Sequence, residues 1–267
     1  MDKIKLHFKF LFIFYEFILL YFYYTKYIMD SSIANLRKLQ ENQTFSEIIV
    51  IADINYPYIN PSFYPKPYIE NIDNETILLK WNKTITNCQK MFSNTKIKEI
   101  NLSNFDTSEI TSMDNMFYNC TLLEKFNLIN NNLPNLKSMK GMFNICLNLS
   151  SIKIENIDFL ELTSIKEIFI SCPNLINIQF ININFTKLEI MENIFFNVGS
   201  NENKINITFE NINMENVLTM ENMFSHSYYL QSIKFINVNA YKLKSLERMF
   251  FNCFNLYEAF FINFLFS

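Results

Sequence analysis

The segment at residues 104–120, NFDTSEITSMDNMFYNC, decides the fold, because the rest of the chain repeats it in degraded copies. Its Phe117 is one of seven phenylalanines that follow one another at spacings of 25, 26, 26, 26, 29 and 26 residues. These repeat phenylalanines are Phe92, Phe117, Phe143, Phe169, Phe195, Phe224 and Phe250. A period of this length is typical of a solenoid, in which each repeat forms one coil that stacks on the next.

The residues before each repeat phenylalanine predict a short helix. Apolar side chains stand seven, four and one positions before it, as Ile110, Met113 and Met116 do before Phe117. These offsets fall on one face of a helix. We therefore expect one helix per repeat, with Asp106 or Thr107 as the N-cap in this copy.

The residues after each repeat phenylalanine predict a strand, because the apolar period changes to two, as in Phe126 and Leu128. An asparagine follows the second apolar position of every predicted strand by two residues. This structural column is Asn104, Asn130, Asn156, Asn182, Asn211, Asn237 and Asn263. Stacked coils place such side chains at roughly 4.8 Å from one another, so we expect a buried column that bonds the turn backbone.

The pattern resembles the BspA-like leucine-rich repeat family in its 26-residue form, known from surface proteins of mycoplasmas, other bacteria and protists. The resemblance is carried by LSNFDTS at 102–108, Met113, MFYNC at 116–120 and Leu123. It implies an α/β leucine-rich-repeat solenoid of about seven stacked coils over residues 76–267, with one short strand and one short helix per repeat. For function it implies adhesion to host or matrix proteins, or cell-surface recognition.

The first 75 residues differ from the repeats. Lys3, Lys5 and Lys9 precede an aromatic and aliphatic run at 10–24, which predicts a signal peptide or signal anchor over residues 1–28, with cleavage favoured. The repeats would then be secreted or displayed at the cell surface, anchored in the membrane if this segment is retained. Residues 29–75, which hold four prolines and a candidate strand at 46–51, predict a linker and an N-terminal cap, with a polyproline ligand as the alternative.

The sequence offers no candidate nucleophile, base or metal site, and its charge argues against nucleic-acid binding. The net charge is −3 without a Lys/Arg face, and the five cysteines form no CxxC pair, which removes support for a zinc site. Four cysteines stand three residues after a repeat phenylalanine and predict buried thiols, with one disulfide between neighbouring coils as the alternative: Cys120, Cys146, Cys172 and Cys253. We predict a protein that is not an enzyme and needs no cofactor.

His226 and a row of three glutamates each have a functional and a structural interpretation. His226 is predicted to be a surface residue on a turn and not a base or a metal ligand. Glu192, Glu221 and Glu247 align in adjacent coils, which indicates a solvated face, with calcium binding as the alternative. Eight Asn-x-Ser/Thr sequons predict a glycoprotein if the chain is secreted from a eukaryotic cell.

The outward positions of the predicted sheet mix polar residues with isoleucines. Such a surface suits protein binding, although β-branched residues also favour strands for their own reasons. The candidate partner-binding residues are Asn127, Ile129, Lys153, Glu155, Gln179, Ile181, Thr208, Glu210, Lys234 and Ile236. The expected partner is a host, matrix or cell-surface protein, and an intracellular leucine-rich-repeat scaffold or regulatory protein is the alternative.

The C-terminal segment FFINFLFS at 260–267 is apolar and has no polar cap. Terminal repeats usually carry a polar outer side. We therefore predict that this end meets a partner, a membrane or a second copy of the chain, or that the gene product is truncated.

Overall fold

A computed structural model describes residues 46–52, 59–63, 65–73, 75–198 and 205–266. These residues lie in the second of two compact units, Phe45–Ser267. The predicted signal segment at 1–28 and the first part of the linker lie outside the described residues. Within the described part, no helix is long and apolar enough to cross a membrane.

The described residues form ten strands and no helix. The strands are β1 (Ser46–Ala52), β2 (Tyr68–Asn71), β3 (Thr76–Trp81), β4 (Ile97–Asn101), β5 (Lys125–Ile129), β6 (Ser151–Phe159), β7 (Asn177–Phe185), β8 (Ile205–Asn213), β9 (Leu230–Asn239) and β10 (Glu258–Leu265). The first four make an antiparallel sheet in the order β2-β3-β1-β4. The other six make a parallel sheet in sequence order, from β5 to β10.

The parallel sheet is one side of a β-solenoid. Each strand pairs with the strand one repeat further on, so that Phe126 lies opposite Ile152 and Ile152 lies opposite Ile178. The six strands are separated by five turns of the chain. The predicted α/β leucine-rich-repeat solenoid of about seven coils is therefore wrong, and the predicted helix in each repeat is absent throughout the described residues.

Hydrogen bonds between coils replace the predicted helix. Around Phe117, every second amide donates to a carbonyl of the next coil at 2.8–2.9 Å, and these donors are Met113, Asn115, Phe117 and Asn119. Between them, the amides of Met116 and Tyr118 donate to the carbonyl three residues earlier, at 3.1 and 3.0 Å, and the amide of Asp114 donates to Oγ of Ser112 at 3.1 Å. A helix would direct all of these amides to the carbonyl four residues earlier. We call this segment, from four residues before to three after each repeat phenylalanine, the turn run.

Two left-handed residues in each turn run fix this backbone. They stand two positions before and two after the repeat phenylalanine, as Asn115 (φ 53°) and Asn119 (φ 58°) do. A helix needs φ near −63°, and asparagine and glycine tolerate positive φ better than other residues do. The complete set is Lys90, Asn94, Asn115, Asn119, Gly141, Ile145, Glu167, Ser171, Asn193, Asn197, Asn222, His226, Arg248 and Asn252.

The two predicted N-cap residues serve other purposes. The Asp106 carboxylate accepts hydrogen bonds from the amide and the hydroxyl of Ser108, at 3.0 and 2.7 Å, which hold the pKa of Asp106 below its usual value. The Thr107 hydroxyl donates to the carbonyl of Asn132 at 2.6 Å. Both residues therefore stabilise turns instead of the start of a helix.

The apolar positions that predicted the helix do lie in the core. Ile110, Met113, Met116 and Phe117 are fully buried. The seven repeat phenylalanines stack on their neighbours along the solenoid, with centroid distances of 5.2 to 5.6 Å and interplanar angles of 12° or less. The sequence pattern therefore identified the buried residues but assigned them the wrong backbone.

Strands β6 to β10 continue past the asparagine column within each coil, and this second part of the strand was not predicted. In β6, Ile152 and Ile154 face the core before Asn156, and Ile157 and Phe159 face it after Asn156. The left-handed φ of 56° at Asn156 shifts the alternation by one residue. The sequence signal for it is a pair of apolar residues, which stand one and three positions after most asparagines of the column.

The N-terminal end of the solenoid is capped. β1 pairs antiparallel with both β3 and β4, so it covers the outer edge of the first repeat strand. Trp81 in β3 is buried, donates its Nε1–H to the carbonyl of Pro65 at 2.9 Å, and packs edge-on against Phe105. β10, at the other end, pairs only with β9 among the described strands.

Candidate functional site

The ten candidate partner-binding residues form two straight columns on the outward side of the parallel sheet, which we call the outer sheet face. The first column is Asn127, Lys153, Gln179, Thr208 and Lys234, and the second is Ile129, Glu155, Ile181, Glu210 and Ile236. Neighbours in a column lie on adjacent strands, which are about 4.8 Å apart. The structure thus brings all ten residues onto one surface.

The residues of the outer sheet face alternate with core residues. Leu128 and Ile154 point inward and are buried, whereas Ile129 on the outward side is 38% exposed. Ile181 and Ile236 are half-buried among their polar neighbours. The face therefore offers apolar contact area in the second column and hydrogen-bonding groups in the first.

The charges of the outer sheet face balance. It carries Lys153 and Lys234 against Glu155 and Glu210. The Nζ atom of Lys153 lies 2.6 Å from Oε2 of Glu155, and Nζ of Lys234 lies 5.8 Å from the ring centroid of Phe260. A surface without excess positive charge lacks the electrostatic footprint of a nucleic-acid site.

The asparagine column borders the outer sheet face as a ladder of side chains. Each Nδ2 donates to Oδ1 of the previous member at 2.8–2.9 Å, in the order Asn156 to Asn130, Asn182 to Asn156, Asn211 to Asn182, Asn237 to Asn211 and Asn263 to Asn237. The ladder is exposed and bonds side chain to side chain, whereas the sequence predicted a buried column bonded to the turn backbone.

A left-handed backbone explains why the ladder is asparagine. Its six members from Asn130 to Asn263 have φ between 50° and 57°. Asn104, the first residue of the predicted column, lies next to the cap, where its carbonyl accepts the amide of Glu47 at 3.2 Å. The ladder thus fixes the corner at which each strand turns away from the outer sheet face.

The cysteines are free thiols in the structure. Each of the four in the shared position donates its S–H to the carbonyl of the preceding coil's repeat phenylalanine, at 2.9–3.1 Å: Cys120 to Phe92, Cys146 to Phe117, Cys172 to Phe143 and Cys253 to Phe224. Burial raises the pKa of Cys120 to about 11 and that of Cys172 to about 12. A thiol with such a pKa is a poor nucleophile near neutral pH.

His226 lies in an aromatic cluster that sequence reasoning missed. Its Nδ1 is 3.1 Å from the Tyr228 hydroxyl and 3.3 Å from Nδ2 of Asn252, and its ring packs between Phe196 and Phe251. The sequence did contain a signal for this cluster, because aromatic residues stand one or four positions after successive repeat phenylalanines. Each contact of His226 is accounted for by packing within its own coil and against the neighbouring coils.

For the aligned glutamates Glu192, Glu221 and Glu247, calcium binding is the alternative to a solvated face. Among the residues that the structure describes, no three or more His, Cys, Asp or Glu side chains are grouped so that they could hold a metal ion. Glu247 is exposed and forms an ion pair with Arg248 at 3.5 Å.

An open pocket of about 590 Å³ lies where the cap meets the first turn runs. Its lining is Asn60, Ser62, Lys90, Ser93, Asn94, Asn115 and Tyr118. Sequence reasoning missed it because segments about 30 residues apart form it, and Asn60 Nδ2 joins them by donating to Ser93 Oγ at 2.6 Å. Among the described residues that line it, Lys90 is the one cation and there is no carboxylate.

Comparison with known proteins places the chain in a family. Neither the curated proteins nor the solved structures gave a match. The family model described as "Mycoplasma protein of unknown function, DUF285" matches residues 69–179 and 163–260, well over half of the chain. The matched residues run from β2 into β10 and therefore include the whole parallel solenoid except its last residues. The chain belongs to this family of Mycoplasma proteins of unknown function.

Proposed function

We propose that the chain is a non-enzymatic, secreted or cell-surface module that binds a partner protein through the outer sheet face. The observation that carries the proposal is the pair of columns on β5 to β9, which combine one exposed and two half-buried isoleucines with balanced charge on a regular surface. Protein interfaces have this mixed character, with apolar contacts surrounded by polar groups.

The outer sheet face is large enough to form the centre of a protein interface. Five strands at about 4.8 Å extend over roughly 20 Å, and its ten residues are a fraction of the roughly 20–30 on one side of a standard interface. The backbone under the face is held by full parallel ladders on both sides of β6, β7 and β8. A rigid surface loses little conformational entropy on binding, which favours affinity.

We extend the proposal to the biological role of BspA-like surface proteins, namely adhesion to host or matrix proteins or recognition at the cell surface. Support comes from LSNFDTS at 102–108 and MFYNC at 116–120 and from the family to which the chain belongs. The basic and then apolar residues at 1–28 support export or anchoring. The sequons support glycosylation in a eukaryotic secretory pathway.

The second candidate is an intracellular scaffold or regulatory protein. The observation in its favour is the set of five free thiols, since cysteines stay reduced in the cytosol. Labelling of intact cells with an impermeant amine reagent separates the candidates. Labelling of the chain without cell lysis supports surface display, and labelling only after lysis supports the scaffold.

The binding proposal is tested with two variants of equal charge change. In the face variant, the register partners Ile181 and Glu210 are both replaced by Lys. In the control, Ile190 and Glu192 on the turn side of the same region are replaced by Lys. We expect the wild-type chain and the control to bind the same member of a panel of purified matrix proteins, and the face variant to bind at least about tenfold more weakly.

Three outcomes would contradict the binding proposal. One is equal binding by the face variant and the control. Another is weaker binding by the control alone. The third is the absence of binding to every matrix protein and to intact host cells.

A further inference from the structure

The open pocket beside the N-terminal cap is held in shape by the fold. Its walls come from the cap segment at 59–63 and from the first two turn runs. The amide of Asn60 donates to the carbonyl of Met91 at 2.8 Å, its Nδ2 donates to Oγ of Ser93 at 2.6 Å, and Phe63 is buried in the core. The pocket volume of about 590 Å³ lies within the roughly 300–1,000 Å³ of small-molecule sites.

The backbone donors of the pocket are already used. The amides of Lys90, Asn94 and Asn115 donate to carbonyls of the next coil at 2.8–3.0 Å, and those of Ser93 and Tyr118 donate within their own turn runs. The amides that the cap contributes to the lining are used as well. Phosphate sites usually consist of free backbone amides in a nest or at the start of a helix. The lining therefore favours a ligand that side chains recognise, and not a phosphate.

Several side chains of the lining still have free polar groups. Within the described part of the chain, the ammonium group of Lys90, the hydroxyl of Tyr118 and the side-chain amide of Asn115 have no hydrogen-bond or ion-pair partner. Oδ1 of Asn94 accepts from Asn119 at 2.8 Å, which leaves its Nδ2 free to donate. None of the described lining residues is aliphatic, so the pocket fits a polar ligand.

The charge around the pocket is positive. Lys90 is the one cation among the described lining residues, which include no carboxylate. Lys66 adds a second positive charge nearby, because its Nζ donates to the carbonyl of Pro61 in the cap segment. An unpaired ammonium group beside amides and hydroxyls suits a ligand that combines one carboxylate with several hydroxyl groups.

We propose that this pocket binds an acidic sugar, a pyranose ring with a carboxylate, presented as one unit of a glycan. The carboxylate pairs with Lys90, the sugar hydroxyls bond to Asn94 and Asn115, and the C–H side of the ring lies against the ring of Tyr118. Because the pocket is open, the rest of the glycan can extend into solvent. This site is separate from the outer sheet face and does not rest on the proposed binding of a protein there.

Two sugars that differ at one carbon test the proposal. Methyl glucuronide carries a carboxylate where methyl glucoside carries a hydroxymethyl group. Titration of the full chain with each sugar, followed by saturation-transfer NMR, gives the two dissociation constants. We expect the glucuronide to bind about tenfold more tightly, because hydrogen bonds between charged groups are stronger than neutral ones. Free glucuronic acid is the third ligand. Equal binding of the glycoside and the free acid supports a glycan unit, and binding of the free acid alone would contradict it.

Lys90→Asn removes the cation without straining the backbone. Asparagine stands at the equivalent left-handed position in three other coils, as Asn115, Asn193 and Asn222. We expect this variant to bind the two methyl glycosides with equal affinity. Arg248→Asn makes the same change of charge at the equivalent position of the last described coil. It is the matched control and is expected to keep the preference for the glucuronide.

The ring of Tyr118 is tested separately. Tyr118→Leu is expected to weaken the binding of both methyl glycosides by the same factor, about threefold or more, because both sugars place a ring against it. Tyr118→Phe keeps the ring and is expected to bind both sugars nearly as tightly as the wild type. Unchanged β-sheet circular dichroism in each variant excludes unfolding as the cause.

The proposal is overturned by any of four further results. The wild-type chain binds neither methyl glycoside at millimolar concentration. The two glycosides bind equally tightly. Arg248→Asn loses the preference as Lys90→Asn does. Acetate displaces the glucuronide as effectively as glucuronic acid does, which would mean that the pocket recognises a carboxylate and not a sugar.

Discussion

The strand side and the turn side of each coil are joined to the neighbouring coils by different patterns of backbone hydrogen bonds. On the strand side, β5 to β10 pair in continuous parallel ladders. On the turn side, single bridges such as Ser112–Ser138 and the alternating amides of the turn run join the coils. Apolar residues face the core on both sides, so the difference lies in the backbone. Left-handed residues, and not apolar spacing, therefore distinguish a stacked turn run from a helix.

The turn side is also the less regular of the two. Its bridges run from Asn87 to Ser164 and again from Ile190 to Ser245, and among the described residues no bridge joins Ser164 to Ile190. Over the same region β6, β7 and β8 stay paired. Val198 stands in the position where four other coils carry a thiol, and one carries the hydroxyl of Ser227, that donates to the preceding phenylalanine carbonyl. The strand side therefore keeps the coils in register where the turn side is interrupted.

The largest effect is expected from removing one ring of the phenylalanine stack. Phe143 is fully buried between Phe117 and Phe169, at centroid distances of 5.4 and 5.6 Å. Phe143→Ala should lower the free energy of unfolding by about 3–5 kcal/mol, because it leaves a cavity on the turn side. Urea denaturation followed by circular dichroism measures the change. Asn144→Ala, at the next and half-exposed position, is the control, and a loss below about 1 kcal/mol for Phe143→Ala would show that the coils close over the gap.

A smaller effect is expected at the strand corner. Asn182 has φ 52°, donates to Asn156 at 2.8 Å and accepts from Asn211 at 2.9 Å. Asn182→Ala should cost about 1–3 kcal/mol, because it combines a strained backbone with the loss of two exposed hydrogen bonds. Asn182→Gly removes the same hydrogen bonds without the strain. If denaturation gives equal losses for the two variants, backbone conformation is not the reason for the asparagine column.

The strand side was largely predictable from the sequence. Alternation such as that of Phe126 and Leu128 has only one common structural meaning, and it placed all ten residues of the outer sheet face on the outward side. The repeat phenylalanines and the residues around them were correctly assigned to the core. Long-range stacking at a fixed period explains this success, because one register determines every coil.

The turn side was not predictable in the same way. Offsets of seven, four and one residues fit a helix and the turn run equally well, so apolar spacing could not decide between them. Asn115 and Asn119 carried the missing information, since asparagine tolerates positive φ, but Ile145 and Glu167 at equivalent positions obscure it. The aromatic cluster at His226 and the pocket at Lys90 depend on contacts between coils, which the spacing within one repeat does not reveal.

Replacing Ile145 is expected to stabilise the turn side. It has φ 63° although it is β-branched, and the equivalent Asn119 donates to Asn94 at 2.8 Å. Ile145→Asn should raise the free energy of unfolding by about 1 kcal/mol, because a left-handed conformation costs a branched residue about 1–2 kcal/mol. The reverse change, Asn119→Ile, should destabilise the chain in the same urea assay. Destabilisation by both would show that packing at Ile145 outweighs its backbone strain.

The smallest effect is expected where a second asparagine ladder on the strand side stops. Asn213 donates to Asn184 at 2.9 Å and Asn239 donates to Asn213 at 3.1 Å, but the buried Oδ1 of Asn239 has no hydrogen-bond partner among the described residues. Leu265 lies opposite Asn239 in the register that the ladder members share.

Leu265→Asn should therefore extend the ladder and raise the free energy of unfolding by about 0.5–1 kcal/mol, the usual net contribution of one hydrogen bond. Leu265→Asp is the matched control, because an ionised carboxylate has nearly the same shape but no N–H to donate. A gain for Asn over Asp in urea denaturation would show that the ladder stabilises the register of the strands. Equal stabilities would mean that the parallel sheet sets the register by itself and that the ladders only follow it.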